Sequence, residues 1–316
     1  SIARFKRARP VLKVQDGCSH GCAYCIVPLT RGPARSRPPK DCLAEMRRLL
    51  EAGYREIMIS GINLRQYAMR DEGCRDFWDL LSYLDRELAP EWGSGARPDP
   101  ARFRISSVEP AQLTERGIAT LAETRMVCPH LHLSLQSGSA DVLKAMRRRE
   151  TKAGLEALFA GLRRRIPGVV LRTSLITGLP YEDEAAFEEL CDFLGEQKLQ
   201  RVGAFAYSPE EGTPAAKMLN RVDADEARHR AELVMEVQAQ VMDQFNDSRM
   251  GDTVEVLCDG WDGQSMSYVG RSYAESPGID GSIYFTSDSP VEAGDFVRVR
   301  ITGAMDGELT GERTEE

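Results

Sequence analysis

The sequence lacks any long hydrophobic run. Among its 316 residues, no segment approaches the roughly 18 consecutive apolar residues that a membrane-spanning helix requires. The first ten residues, SIARFKRARP, also lack the apolar stretch of a secretory signal. These absences argue against a membrane partner and predict a cytoplasmic protein.

The cysteines lack the arrangement of a disulfide framework. Such frameworks occur in small secreted domains with densely spaced cysteines, whereas this chain is 42% hydrophobic and long enough for more than one buried core. We interpret the five scattered cysteines as buried or incidental thiols. They are Cys42, Cys74, Cys128, Cys191 and Cys258.

The other three cysteines lie in the segment DGCSHGCAYCIVP, residues 16 to 28, as Cys18, Cys22 and Cys25. A structural zinc site, or an iron–sulfur cluster held only by cysteines, uses four protein ligands. His20 could complete a zinc site, but only one residue separates it from Cys18 and from Cys22. A 4Fe-4S cluster with one iron open to a small molecule fits the three thiols better. A redox pair would need no third cysteine.

Strand and helix patterns alternate after the apolar run PVLKV, which precedes the cysteines. The segments REIMIS, RFRISSV, HLHLSL, VVLRTSLIT and RVGAFAY predict five further strands. Helical patterns such as KDCLAEMRRLLEAG and TKAGLEALFAGLRRR separate them, which favours parallel pairing. The fold class is therefore α/β, and six strands predict a partial (β/α)6 barrel with its functional residues at the carboxyl ends of the strands.

The end of the chain predicts a different fold. From Asp247 onward, short alternating strands separated by Gly, Asp and Pro predict a small all-β barrel. The segment before it has a helical pattern. We therefore expect a first domain over residues 1–220, a helical linker over 221–246 and a β-barrel over 247–316.

These features together resemble a known family. The Cys-x3-Cys-x2-Cys spacing, with Tyr24 before the last cysteine, resembles the radical S-adenosylmethionine (SAM) superfamily, and the tail resembles the OB-like TRAM module. With SRP after the cysteines and YSPEEGTPAAKM (207–218) before the linker, the chain resembles the methylthiotransferases. The resemblance implies that Cys18, Cys22 and Cys25 bind a 4Fe-4S cluster whose open iron binds SAM. It also implies that a SAM-derived radical allows a methylthio group to replace an unactivated hydrogen.

Residues at the strand ends are the expected SAM contacts. The resemblance implies that the turn SGIN, with Gly61 and Asn63, holds the amino end of SAM, although Gly61 also suits a plain turn. Gln136 and Ser137 are the expected ribose contacts. Arg172 is expected to contact the SAM carboxylate or the substrate, and Gly178 the adenine. The full set of candidate cofactor contacts is Tyr24, Gly61, Asn63, Gln136, Ser137, Arg172 and Gly178.

Two histidines alternate on the strand PHLHLSL. His130 and His132 therefore face the same side of the sheet. They could bind a metal, but we favour a role as residues of the core or of the barrel lining.

The methylthiotransferases begin with a further domain that carries three cysteines for a second 4Fe-4S cluster. The present sequence contains no such domain, and the scattered cysteines lack ligand spacing. We expect a truncated sequence, with the second cluster confined to the missing domain.

The distribution of charged residues along the chain bears on whether the substrate is a protein or an RNA. Residues 247–316 contain 15 acidic residues, 5 arginines and no lysine, whereas the remaining residues contain 36 basic and 34 acidic residues. An acidic barrel repels RNA and attracts a basic protein. We therefore favour the branch that methylthiolates an aspartate of a small-subunit ribosomal protein. The alternatives are the branch that modifies threonylcarbamoyl-adenosine in tRNA and, at the level of class, a non-catalytic iron–sulfur or zinc module.

The candidate substrate contacts come from both predicted domains. Those in the β-barrel are three aspartates, which we place in loops between the short strands. The full set is Arg31, Tyr207, Asp259, Asp262 and Asp288. Against the protein substrate stands the basic segment RGPARSRPPK, in which Arg31, Arg35 and Arg37 either contact RNA or balance the charge of SAM and the cluster. A reducing electron donor is a further expected partner.

Overall fold

The computed structural model describes residues 10–97 and 99–315, so the outer ends of the first and last expected domains lie outside the described residues. The strands of the first domain are β1 (Val11–Asp16), β2 (Arg35–Ser36), β3 (Glu56–Gly61), β4 (Arg102–Ile105), β5 (His130–Gln136), β6 (Val170–Thr177) and β7 (Arg201–Ala206). The helices are α1 (Val27–Arg31), α2 (Pro39–Glu51), α3 (Phe77–Trp92), α4 (Glu115–Glu123), α5 (Ala140–Ala145), α6 (Lys152–Arg165), α7 (Glu184–Gln197) and α8 (Ala224–Asp247).

Six parallel strands form an open barrel in the order β1, β3, β4, β5, β6, β7. Parallel bridges from Phe103 to Val127 and from Val108 to Leu133 join the β4 side to the β5 side. The short strand β2 pairs antiparallel with β1 at the edge. The predicted partial (β/α)6 barrel is therefore confirmed.

Strand alternation separates an apolar outer face from a polar inner face. On β3, Ile57 and Ile59 belong to the main hydrophobic core beneath the helices, so Glu56 and Ser60 face the barrel interior. The interior carries an unusual number of charged and polar side chains near the amino ends of the strands. They are Glu56, Arg102, Arg104, His130, His132, Arg172 and Arg201.

Helix α8 occupies most of the predicted linker but packs on the barrel. The hydroxyl of Thr177 donates to the carbonyl of Ala227 at 2.8 Å, and Nε2 of Gln238 donates to the carbonyls of Leu199 and Gln200 at 3.1 Å. The helix therefore covers the last two strands of the barrel before it leads into the tail. No helix within residues 10–97 and 99–315 is long and apolar enough to cross a membrane.

The tail forms a closed barrel of five strands. They are β8 (Thr253–Asp262), β9 (Ser267–Arg271), β10 (Ile283–Thr286), β11 (Phe296–Met305) and β12 (Glu308–Thr314). A small apolar core that includes Val256, Phe285 and Ile301 fills it. The predicted all-β barrel is confirmed, and it is called the tail barrel below.

The tail barrel contacts the amino end of the first domain. Arg104 donates to the carbonyls of Tyr273 and Ser272 at 2.8 and 2.7 Å, and Nε of Arg172 donates to both carboxylate oxygens of Asp280 at 3.1 Å. Arg104 and Arg172 are the third residues of their strands. The tail barrel therefore closes the amino end of the (β/α)6 barrel, opposite the end that carries the cysteine loop.

Candidate active site

The cysteine loop connects β1 to α1 and begins with a glycine that no other residue can replace without strain. Gly17 has a φ of +70°, and a Cβ atom there would lie 2.1 Å from the carbonyl oxygen of Pro33. The next residue, Cys18, donates its backbone N–H to the carbonyl of Gly32 at 3.0 Å. The loop is thereby folded back against the Gly32–Pro33 turn, and Cys18 is turned inward.

Two other segments hold the middle of the loop at Ala23. Its N–H donates to the carbonyl of Met146 at 3.1 Å, and its carbonyl accepts from the N–H of Ala215 at 2.8 Å. The second contact comes from residues 207–218, which contain the segment that the sequence analysis associates with the methylthiotransferases. Cys22 and Cys25 are therefore positioned by the loop together with the end of α5 and this segment.

The surroundings of the three thiols bear on whether they can bind a cluster. Burial raises the pKa of the Cys22 and Cys25 thiols, so metal binding at neutral pH must displace protons from them. The sulfur of Cys18 accepts from the N–H of His20 at 3.4 Å and from Nδ2 of Asn63 at 3.6 Å. Donors directed at a sulfur stabilise a thiolate, so the site fits an iron–sulfur cluster.

The zinc alternative receives no support from the described residues. None of their His, Cys, Asp and Glu side chains form a group of three or more that could hold one metal ion. The ring of His20 instead contacts Glu109, with Nδ1 3.0 Å from Oε1.

The turn after β3 is tied to the cysteine loop by a buried glutamine. Gln15 accepts from the N–H of Asn63 at 2.8 Å and donates to the carbonyl of Gly17 at 2.7 Å. A Cβ atom on Gly61 would lie 3.0 Å from Cβ of Gln15 and 2.8 Å from Leu64. Gly61 is therefore required by close packing within the chain, whatever its expected contact with SAM.

The end of β5 contains one residue in a strained conformation. Gln136 has a φ of 73°, which is uncommon for a residue other than glycine and is found at functional sites. Its neighbour Ser137 is fully buried, and its hydroxyl accepts from the N–H of Ser139 at 3.2 Å. Gln136 therefore remains a candidate ribose contact, whereas the hydroxyl of Ser137 serves the start of α5.

Two of the expected SAM contacts have other partners. Arg172 lies near the amino end of β6, where Asp280 and His132 occupy its guanidinium group. Gly178 has a φ of +77°, and a Cβ atom there would lie 2.3 Å from Cβ of Ala227 in α8. The packing of α8 explains this glycine without an adenine. We do not include Arg172 or Gly178 in the candidate site.

Two tyrosines contribute to a small apolar cluster beside the cysteine loop. Tyr24 and Tyr207 pack against residues that include Ala23, Met146 and Ala215. Burial raises the pKa of both tyrosine hydroxyls, so both stay protonated at neutral pH. Tyr24 therefore braces the loop between Cys22 and Cys25, and Tyr207 is half-buried beside it.

The two histidines of β5 line the barrel, as the sequence analysis favours. Burial lowers the pKa of His130 well below its usual value, and burial and Arg172 lower the pKa of His132 to about 4. Nε2 of His132 lies 3.1 Å from the hydroxyl of Ser174. Both rings are therefore neutral at physiological pH.

The expected substrate contacts are widely separated. Arg31 is exposed at the end of α1, next to the cysteine loop. The placement of Asp259 and Asp262 in loops is wrong, because both belong to β8. Asp259 pairs with Arg271, and Asp262 accepts from the N–H of Ser265 at 3.0 Å. Of the three aspartates, Asp288 alone lies in a loop, where it is exposed.

Several residues around the loop were not predicted from the sequence. Glu109, Arg65 and Arg148 line a cleft of about 360 Å³ together with His20 and Cys22. Arg148 donates to the carbonyl of Ser134 at 2.7 Å and pairs with Glu150 at 3.1 Å. The run of three arginines from 147 to 149 was a visible signal, whereas the distance of Glu109 from the cysteines in sequence concealed its role.

A family model described as the radical SAM superfamily matches residues 12–194, more than half of the chain. The chain belongs to the radical SAM superfamily. A second model, the TRAM domain, matches residues 250–313 of this radical SAM protein, which cover all but the last residue of the tail barrel. Both resemblances in the sequence analysis are thereby confirmed.

Curated relatives match along almost the whole chain. "Ribosomal protein uS12 methylthiotransferase RimO" from Desulforamulus reducens is 37% identical over 302 residues, and the protein of the same name from Pelotomaculum thermopropionicum is 38% identical over 303 residues. Each alignment covers 95% of this radical SAM protein and 66% of the relative. The chain thus spans slightly less than two thirds of these relatives.

Solved structures with low sequence identity share the fold. Coproporphyrinogen III oxidase (HemN) from Escherichia coli has a TM-score of 0.54 at 14% identity, covering 74% of this chain and 53% of that chain. The radical S-adenosylmethionine methyltransferase TsrM from Kitasatospora setae, with cobalamin and a [4Fe-4S] cluster bound, has a TM-score of 0.53 at 16% identity. That match covers 66% of this chain and 38% of TsrM.

Proposed function

We propose that this radical SAM protein carries the catalytic core of a methylthiotransferase that modifies an aspartate of ribosomal protein uS12. The observation that carries the proposal is the alignment of 95% of the chain with relatives named for this activity, at 37% and 38% identity. A ribosomal substrate also implies a cytoplasmic location.

The cofactors of the proposed reaction are a 4Fe-4S cluster and SAM. Cys18, Cys22 and Cys25 hold the cluster, and bound SAM supplies a radical strong enough to remove a hydrogen from an unactivated carbon. The chain's own residues position these groups. The fold of the loop at Gly17 directs the Cys18 thiol inward, and Gln136, half-buried at the end of β5, would offer its amide to the ribose.

The charge of the tail barrel favours a basic protein over tRNA, but less than the residue count alone suggests. Glu275 and Asp280 pair with Arg201 and Arg172 of the first domain, and Asp259 pairs with Arg271. The carboxylates of Glu275 and Asp280 are buried and unavailable to a partner, whereas that of Asp259 stays partly exposed. Other acidic residues remain exposed, and they include Asp252, Glu255, Asp288, Glu292, Asp295, Asp306 and Glu312.

The proposal is tested with anaerobically reconstituted protein and a chemical reductant. We expect purified uS12 to bind and to stimulate the release of 5′-deoxyadenosine from SAM, and we expect the binding to weaken with salt because the exposed carboxylates are screened within about 8 Å at physiological ionic strength. An anticodon stem-loop of tRNA is the matched competitor. Asp288→Lys, which leaves the internal ion pairs intact, should weaken uS12 binding, with Lys198→Asp as a charge-changed control away from the tail barrel.

Three outcomes separate the alternatives. Tight binding of the stem-loop with no affinity for uS12 would favour the tRNA branch, in which exposed Arg31 and Arg35 beside the cysteine loop would contact RNA. Failure to release any 5′-deoxyadenosine from a fully loaded protein would favour a non-catalytic module. Stimulation by uS12 alone supports the proposed substrate.

A further inference from the structure

We infer that Glu109 and Asn63 form a positioning pair that directs an N–H donor at the sulfur of Cys18 and thereby sets the reduction potential of the cluster. The inference rests on the proposed cluster but not on the identity of the substrate. It assigns Asn63 a different role from the SAM contact that the sequence resemblance implies.

Glu109 gathers three donors from two segments. It lies shortly after β4, and its side chain is 14% exposed. Oε1 accepts from Nδ2 of Asn63 at 2.9 Å and lies 3.0 Å from Nδ1 of His20, while Oε2 accepts from Arg65 at 3.4 Å. One carboxylate therefore connects the cysteine loop with the turn after β3.

The amide of Asn63 is held in one orientation. Its oxygen accepts from the N–H of Arg65 at 3.1 Å, and its nitrogen donates to Glu109 and, at 3.6 Å, to the sulfur of Cys18. Nδ1 of His20 lies 3.3 Å from the same nitrogen, but it donates to Glu109 and therefore accepts no hydrogen from Asn63. A carboxylate has only acceptors, so a flipped amide would place its oxygen against the oxygen of Glu109. The carboxylate thus determines that Asn63 presents a donor, and not an acceptor, to Cys18.

A donor at this sulfur changes the energy of the reduced cluster. Reduction adds negative charge to the cluster and its thiolates, and hydrogen bonds to the sulfurs stabilise that charge. Cys18 is 9% exposed, so solvent screens the interaction weakly. Removing the donor should therefore make the reduction potential of the cluster more negative.

The test measures the midpoint potential of the reconstituted cluster by redox titration, monitored by electron paramagnetic resonance without substrate. We expect Asn63→Leu, which keeps the size of the side chain, and Asn63→Ser to shift the potential to more negative values. The matched control is Gln66→Leu, because Gln66 accepts from the N–H of Ser19 in the same loop at 2.8 Å but contacts no sulfur. The control should keep the wild-type potential.

A double-mutant cycle assigns the role of Glu109. Glu109→Gln also removes a negative charge, which by itself raises the potential in any background. If Glu109 acts through Asn63, its substitution must have a different effect on the potential in the Asn63→Leu background than in the wild type. Equal effects in both backgrounds would overturn the positioning role of Glu109.

Two further results would overturn the inference. One is an unchanged potential in both Asn63 variants together with weaker SAM binding, which would make Asn63 a direct SAM contact. The other is loss of the cluster from both Asn63 variants but not from Gln66→Leu, which would make Asn63 a requirement for retaining the cluster. Because no uS12 is present, failure here is distinguishable from failure of the proposed function.

Discussion

The carboxylate of Glu56, on the first residue of β3, lies 3.1 Å from Nε of Arg271, on the last residue of β9. Both side chains are buried, and the two residues are 215 positions apart in the chain. Arg102 and Arg104 approach the same carboxylate at 2.7 and 3.0 Å. One buried carboxylate thus pairs with arginines from both domains.

This arrangement predicts a large loss of stability for Glu56→Gln. Burial alone would raise the pKa of Glu56, but Arg104, Arg102 and Arg271 hold it well below its usual value. Removing the charge leaves buried guanidinium groups without compensation, which costs about 3–5 kcal/mol. Urea unfolding of the loaded protein measures the change.

The control for this prediction is Glu115→Gln. Glu115 pairs with Arg165 at 3.3 Å, but its side chain is 88% exposed. Exposed ion pairs contribute about 0–1 kcal/mol, so this variant should unfold close to the wild type. Similar losses in the two variants would contradict the role assigned to Glu56.

Gly17→Ala should prevent cluster binding without unfolding the barrel. The substitution forces a side chain into a left-handed conformation and against the carbonyl of Pro33, so the loop must move away from the Gly32–Pro33 turn. We expect little iron in the reconstituted variant and a nearly normal far-ultraviolet circular dichroism spectrum. Gly53→Ala, which has a φ of +96° but open space around it, is the control and should retain its iron.

A second prediction about iron concerns the three cysteines proposed to bind the cluster. Alanine at Cys18, Cys22 or Cys25 should abolish the visible absorbance of the cluster, because three thiolates are the minimum for a site with one open iron. Alanine at Cys42, Cys74 or Cys258 should preserve it, since these thiols are buried in the hydrophobic cores of the two domains. Loss of the absorbance in any of the last three variants would refute this ligand assignment.

His132 should make the protein less stable in mild acid. Burial and Arg172 lower its pKa to about 4 from 6.5, so the folded protein binds fewer protons than the unfolded chain between these values. Stability is therefore full above pH 6.5 and falls as the pH approaches 4, by up to about 3 kcal/mol. His132→Asn should flatten this part of the curve of unfolding free energy against pH. An unaltered slope in the His132 variant would mean that other groups cause the acid sensitivity.

The candidate site was predictable where its chemistry is local in sequence. The spacing of Cys18, Cys22 and Cys25 predicts the cluster loop, because three proposed ligands on one short segment need no tertiary information to be recognised. The alternation of strands and helices likewise predicts the parallel barrel. The roles of Asn63 and Glu109 were not predictable, since their contact joins the ends of two different strands.

For the charged residues, too, some properties follow from the sequence and others only from the tertiary structure. The sequence by itself determined the composition of the tail, with 15 acidic residues and 5 arginines, and its short-strand pattern. Only the tertiary structure decided that Asp280 and Glu275 face Arg172 and Arg201 across the domain interface. A count of charges cannot distinguish a carboxylate that attracts a partner from one that neutralises a buried arginine. That distinction depends on burial and distance, which arise when segments far apart in the chain pack together.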